Sequence, residues 1–269
     1  PSTSSAASDV YKRQQKMLPK TPSSRLDGKC AIVTGGSRGI GLGCAVALAE
    51  QGAHVVIVAR SKNQVFDTVN EMKSEGFSVS GVPMDISKID NVKRLMNDFS
   101  EIDILVNSAG IARHTPTVET TEVDYDDVMA VNVKSAYFLA QFAAKKMIEK
   151  GVGGSIIQIS SQMAHVGGID RAVYCGTKHA IEGINKSMAM EFGPHKIRVN
   201  SICPTFIRTP FTEATFKDPE KVKWIKSKIK MGRVGEVEDI MGAVKFLASD
   251  ASAMVTGSSI LIDGGWTAG

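Results

Sequence analysis

Seven short apolar runs alternating with longer helical stretches constrain this chain more than any other feature. The candidate strands are 30–34 (CAIVT), 54–58 (HVVIV), 78–84 (SVSGVPM), 102–107 (IDILVN), 155–160 (SIIQIS), 197–202 (IRVNSI) and 259–262 (SILI). Several are continuous Val/Ile runs without polar alternation, as expected of strands covered on both faces. Helices are expected near 41–51, 62–75, 88–99, 124–149, 173–192 and 236–248. Strands joined by helical crossovers predict an α/β fold, a doubly wound seven-stranded parallel sheet in a single domain over 26–269. No linker-like stretch interrupts that span. No apolar run approaches the roughly 18 residues of a membrane span, and no fixed-period repeat is present.

The chain has 32 Lys+Arg against 28 Asp+Glu, a formal charge of +4. That excess sits in residues 1–25, where Lys12, Arg13, Lys16, Lys20 and Arg25 face only Asp9. The remainder is neutral, which argues against nucleic-acid binding. The first 25 residues are Ser-rich and lack apolar periodicity, so they are expected to be a disordered tail, partly foreign to the protein ahead of a start at Met17. Cys30, Cys44, Cys175 and Cys203 have no CxxC spacing and read as buried free thiols, which suits a reducing, cytoplasmic setting.

The first strand runs into Thr34-Gly35-Gly36-Ser37-Arg38-Gly39-Ile40-Gly41, where a helix begins. Glycines at 35, 39 and 41 allow a tight turn and close backbone approach, and a helix N-terminus offers free N–H groups to a pyrophosphate. This is the dinucleotide-binding arrangement of a Rossmann fold. About 20 residues beyond such glycines, a carboxylate selects NAD through the ribose 2′-OH and an Arg accommodates the NADP 2′-phosphate. The second strand ends Val58-Ala59-Arg60 with no acid in that place. Arg60 with Arg38 forms a potential two-guanidinium clamp, favouring NADP(H) with NAD(H) as the lesser option. The competing reading of Arg60 is a solvated residue after a strand.

Tyr174 and Lys178 stand four residues apart, on one helix face, and a nearby cation lowers a phenol's pKa. Such a Tyr can exchange a proton with a substrate oxygen while a nicotinamide handles the hydride. Ser161, at the end of the fifth strand, lies where parallel sheets build their sites and is expected to bond a substrate carbonyl.

Together these residues resemble the short-chain dehydrogenase/reductase family, over nearly all of Leu26 to Gly269. TGxxxGIG is matched at 34–41, and Asn107-Ser108-Ala109-Gly110 corresponds to the family's NAG segment. Asp85, with Ile86 beside it, falls on the adenine-contacting position, and IDGG (262–265) also matches. The resemblance implies Tyr174 as general acid/base, Ser161 as substrate-orienting donor and Lys178 as ribose ligand that depresses the Tyr174 pKa. Asn132 would hold a water in a proton relay. It also implies cofactor contacts from Gly35, Ser37, Arg38, Gly39, Ile40, Gly41, Arg60, Asp85, Ile86, Asn107, Ala109 and Gly110, besides Tyr174 and Lys178. After the sixth strand the family's Pro-Gly is replaced by Pro204-Thr205, leaving Pro204, Ile207 and Thr209 as nicotinamide contacts. No metal is implied.

Substrate contacts are expected from Gln162, His165 and Phe206, with Arg113 and Arg208 as further candidates. For His165 the competing reading is a solvated loop residue. Lysines 221, 223, 226, 228 and 230 read as a solvated helix face of a lid, or as a lure for an anionic substrate such as an acyl thioester. The expected function is NADP(H)-dependent interconversion of a ketone and a secondary alcohol, on a sugar acid or polyol. A 3-oxoacyl-thioester reductase is the alternative. A non-catalytic nucleotide-binding regulator would have a broken Ser/Tyr/Lys set, and this set is complete. The family resemblance further implies a homotetramer, with a small-molecule substrate as the other partner.

Overall fold

The computed structural model of the protein describes residues 18–269. The expectations for the first 17 residues lie outside that range. Residues 18–25 are exposed coil, and packing begins at the buried Leu26, whose amide donates to the Gln51 carbonyl at 2.8 Å.

Seven strands form one sheet: β1 (Cys30–Thr34), β2 (His54–Ala59), β3 (Val79–Pro83), β4 (Ile104–Asn107), β5 (Gly154–Ile159), β6 (Ile197–Pro204) and β7 (Ser259–Ile262). Their order is β3-β2-β1-β4-β5-β6-β7 and every pairing is parallel. The chain winds outward from β1 to β3, then crosses to β4 and winds outward the other way. Loops following β1 and β4 therefore part in opposite directions, and the crevice opens between them.

The helices are α1 (Gly39–Glu50), α2 (Lys62–Ser74), α3 (Ile89–Asn97), α4 (Glu122–Met129), α5 (Ser135–Lys150), α6 (Ala172–Phe192), α7 (Glu213–Phe216), α8 (Pro219–Lys228) and α9 (Glu238–Ala248). Successive strand residues point to opposite faces, and each face has its own core. Val33, Val55, Ile57, Val106 and Ile157 pack with Leu48 of α1, Val65 of α2 and Val244 of α9. Ile32, Val56, Val58, Leu105 and Ile156 meet Leu95 of α3, Leu139 and Met147 of α5, and Met188 of α6. That double burial is why these strands read as unbroken apolar runs. The expected segment 124–149 is two helices joined by a π-turn at Ala130–Lys134. A small separate cluster of Ile225, Ile229 and Val234, with Phe206, Phe216 and Trp266 against it, supports α7 and α8 over the C-terminal edge of the sheet.

Candidate active site

The C-terminal ends of β1, β2, β4, β5 and β6 surround a cleft of about 1270 Å³. At one end the glycine turn folds against the β4 loop. Gly35 has φ +68°, and a Cβ there would stand 2.9 Å from Ala109 backbone atoms. A Cβ at Gly41 would collide with the Gly35 carbonyl, so helix α1 can start this close to β1 only with glycine at that position. Arg38 occupies the N-cap of α1 in extended conformation without a side-chain cap, leaving the first N–H groups of the helix facing the cleft. Ser37, Gly39 and Ile40 complete that wall.

Arg38 and Arg60 both line the cleft and are exposed, and neither pairs with a carboxylate among the described residues. Asp85 and Ile86 form the adjoining wall, with the Asp85 carboxylate accepting from Ser87 N at 3.0 Å. Two free guanidiniums beside an open helix terminus fit a nucleotide carrying an additional phosphate.

Along the same cleft lie Ser161, Tyr174 and Lys178. Strand β5 ends at Ile159, and Ser161 caps a short turn by accepting from Met163 N at 3.1 Å. Tyr174 and Lys178 are one turn apart on α6. Lys178 is 7% exposed and donates to the Ile159 carbonyl at 2.9 Å, with its Nζ 5.6 Å from the Tyr174 ring centroid. Burial pushes this ammonium down to about 8, against the opposing pull of Cys203 and Glu182. Burial also raises the Tyr174 phenol, while Ser161 and the Arg171 charge act to lower it.

The expected cause of phenol acidification therefore needs correction. Lys178 is committed to a backbone carbonyl, and Arg171, one turn before Tyr174, supplies the cationic pull on the phenol. Burial still prevails, so Tyr174 is protonated at neutral pH, the state needed to donate to a carbonyl oxygen.

Ala109, Gly110, Pro204, Ile207, Thr209, Gln162, Phe206 and Arg113 also reach the cleft. Four candidates do not. Asn107 donates to the Ala136 carbonyl at 3.2 Å and serves packing between β4 and α5. Asn132 uses its amide on the Ile111 backbone, accepting from N at 2.9 Å and donating to O at 2.8 Å. Its side chain is a clamp on the β4 loop. Arg208 pairs with Glu236 at 3.3 Å, outside the cleft wall.

His165 is the fourth. It comes together with Glu182 and Cys203, ligand atoms lying within 4.8 Å of one another. The Glu182 carboxylate already accepts from Ser201 at 2.7 Å, from Ser259 and from the Cys203 thiol, which burial pushes up to about 12. Glu182 and Cys203 thus belong to a hydrogen-bond network with Ser201 and Ser259, in which the His165 ring takes no part among the described residues. All four cysteines are free thiols, with Cys30 only half-buried.

Sequence reading missed His114 and Arg171, which both line the cleft beside Tyr174. The His114 ring meets the Tyr174 ring edge-on, centroids 6.2 Å apart. Arg171 stands three residues before Tyr174, but it is the N-cap of α6 with non-helical backbone, so helix spacing alone did not place it beside the phenol. His114 had no local signal either, because its position depends on the loop after β4.

The family model described as "Enoyl-(Acyl carrier protein) reductase" matches residues 35–267. The chain belongs to the short-chain dehydrogenase/reductase family and is an oxidoreductase of the type acting on CH–OH groups. It is 38% identical over 244 residues to an L-xylulose reductase from Bos taurus, covering 91% of this chain and 98% of that one. It is 38% identical over 247 residues to a 2-dehydro-3-deoxy-D-gluconate 5-dehydrogenase from Escherichia coli (strain K12), covering 90% and 97%. A crystal structure of a gluconate 5-dehydrogenase from Burkholderia cenocepacia J2315 in complex with NADP and tartrate superposes with a TM-score of 0.88. Its identity is 34%, over 91% of this chain and 98% of that one.

Proposed function

We propose that this protein is an NADP(H)-dependent oxidoreductase that interconverts a ketone and a secondary alcohol on a sugar-type substrate. The observation that carries the reading is one continuous cleft with Arg38, Arg60 and the open α1 terminus at one end and Ser161, Tyr174 and Lys178 at the other. The relatives named above, reductases and dehydrogenases of sugars and sugar acids, support the substrate type.

Bound NADP(H) would supply or accept the hydride. The first N–H groups of α1 would hold its pyrophosphate, and Arg38 and Arg60 its 2′-phosphate. Ser161 donates a hydrogen bond to the substrate carbonyl oxygen and strengthens it as negative charge develops there. Tyr174 gives its proton to that oxygen during reduction and takes it back during oxidation. Lys178, buried one turn from Tyr174, would bond the nicotinamide ribose, and Asn132 fixes the loop that closes this end.

Apolar side chains exposed on α4, α5 and α6, including Val123, Tyr137 and Met190, support assembly as a homotetramer through these helices. Among the described residues, no helix is long and apolar enough to cross a membrane.

Turnover of a panel of ketoses, keto-aldonates and polyols with NADPH/NADP and NADH/NAD tests the reading. Activity strongly favouring NADP(H) is expected. Tyr174→Phe should abolish turnover, a loss of at least about 1,000-fold as for removal of an essential acid/base, while NADPH fluorescence titration stays unchanged. Retained turnover in that variant would refute the role of Tyr174.

A further inference from the structure

Arg113 and Arg171 line the substrate end of the cleft and Arg208 lies just outside its wall, and the partners of the three differ. Arg113 pairs with Asp124 at 3.2 Å and Asp127 at 3.9 Å, and Arg208 pairs with Glu236. Arg171 pairs with no carboxylate among the described residues, although Asp170 adjoins it in sequence. Its only side-chain hydrogen bond among them is from Nη1 to the Ile169 carbonyl at 3.1 Å. The guanidinium carbon stands 5.8 Å from the Phe206 ring centroid, and a Cβ at Gly168 would come within 3.1 Å of the Arg171 Cδ. The side chain is thus held at the cleft edge with most of its donors unspent.

A lone bidentate donor fork one helical turn from the acid/base suits a planar carboxylate.

We propose that Arg171 anchors the carboxylate of a polyhydroxy acid, which makes this a sugar-acid rather than a neutral-polyol enzyme. The inference rests on the oxidoreductase reading above and narrows its substrate class. Arg171 also influences Tyr174, so the discriminating quantity is a ratio in which any general effect on proton transfer cancels.

The experiment compares kcat/KM for NADPH-dependent reduction of a keto-aldonate and of a neutral ketose with the same carbon number and carbonyl position. Wild-type protein should favour the acid. Arg171→Gln should cut the acid-to-neutral ratio by about 30- to 100-fold, mainly through the KM of the acid, as loss of a charge-assisted pair does. Arg171→Lys, which keeps the charge without the fork, should restore part of the ratio. NADPH titration of each variant reports that the fold and cofactor site are retained. A ratio within about threefold of wild type in Arg171→Gln would overturn the inference, as would a wild-type preference for the neutral ketose. If wild type turned over neither substrate class with either cofactor, the oxidoreductase reading itself would fall.

Discussion

At Lys178 the structure turns a sequence motif into a pH dependence. A buried ammonium at about 8 loses its charge far below the ordinary lysine range, whereas burial holds Tyr174 above its ordinary value near 10. Across pH 7 to 9, then, Tyr174 keeps its proton while Lys178 gives its proton up. A reduction that needs the phenol as acid and the ammonium on the ribose should proceed at constant kcat/KM below about pH 8. Above that point it should fall, with a slope of about one decade per pH unit for one ionisation. The Glu182 carboxylate favours the charged form of Lys178, so Glu182→Gln should move the break to lower pH. A break unmoved by that change would remove Glu182 from the account. The sign for stability is the opposite one. Between about 8 and the unfolded value near 10.5, the unfolded chain binds more protons at this residue than the native one, so stability rises with pH across that window. Residue types and spacing made Ser161, Tyr174 and Lys178 legible in the sequence. Where each polar atom is spent was not legible. Asn107, Asn132 and Lys178 all turn to backbone carbonyls contributed by residues at least 19 positions away in the chain.

Among the elements, the π-turn between α4 and α5 has the most consequence. Widening the helix at Ala130–Lys134 turns Asn132 toward the β4 loop, where its amide satisfies both the N–H and the C=O of Ile111 and reaches the Thr177 hydroxyl at 3.3 Å. Two backbone groups thus depend on one side chain. Asn132→Ala should destabilise the protein by about 1–3 kcal/mol, lowering Tm by about 2–10 °C. The Asp variant should be no better, because a carboxylate can accept from Ile111 N but repels the Ile111 carbonyl. Both substitutions should reduce turnover with the cofactor affinity less affected, and an unchanged Tm in Asn132→Ala, measured by calorimetry, would show that the clamp bears no load. The sequence shows a single helix here, since one extra residue barely disturbs an apolar pattern read over many turns. Strands were easier: unbroken Val/Ile runs follow directly from burial on two faces. The lysines of 221–230 were legible as a solvated helix face, but the inner side of that stretch was not, because Ile225, Ile229 and Val234 find their apolar partners in Phe206 and Trp266, far along the chain. The lysines of α8 lie outside the cleft wall, in keeping with a solvated face.

For the whole molecule, the sheet and its two cores satisfy nearly every large apolar side chain of the strands, yet the outer surfaces of α4, α5 and α6 expose large apolar side chains. Val123 is 71% exposed and Met190 81% exposed, and Tyr137, on α5 between them in sequence, is also open. The strand order places α4, α5 and α6 together on one face of the sheet, so these side chains come from neighbouring elements and not from scattered loops. Single exposed apolar residues are ordinary on any surface. Several on three adjacent helices are the composition expected of a face buried by a second copy, and a twofold contact of this kind would pair each helix with its own counterpart. The proposed tetramer would use it as one of its two interface types. Sedimentation at micromolar concentration should then give a mass near four times 28.8 kDa. Placing charge on the face through Tyr137→Glu combined with Met190→Glu should lower the mass to two copies or one, since an unpaired charge buried in such an interface costs several kcal/mol. Far-UV circular dichroism should stay unchanged, because neither side chain belongs to a core. A wild-type protein that sediments as a monomer would refute the assembly, and a double variant that keeps the full mass would move the interface elsewhere on the surface.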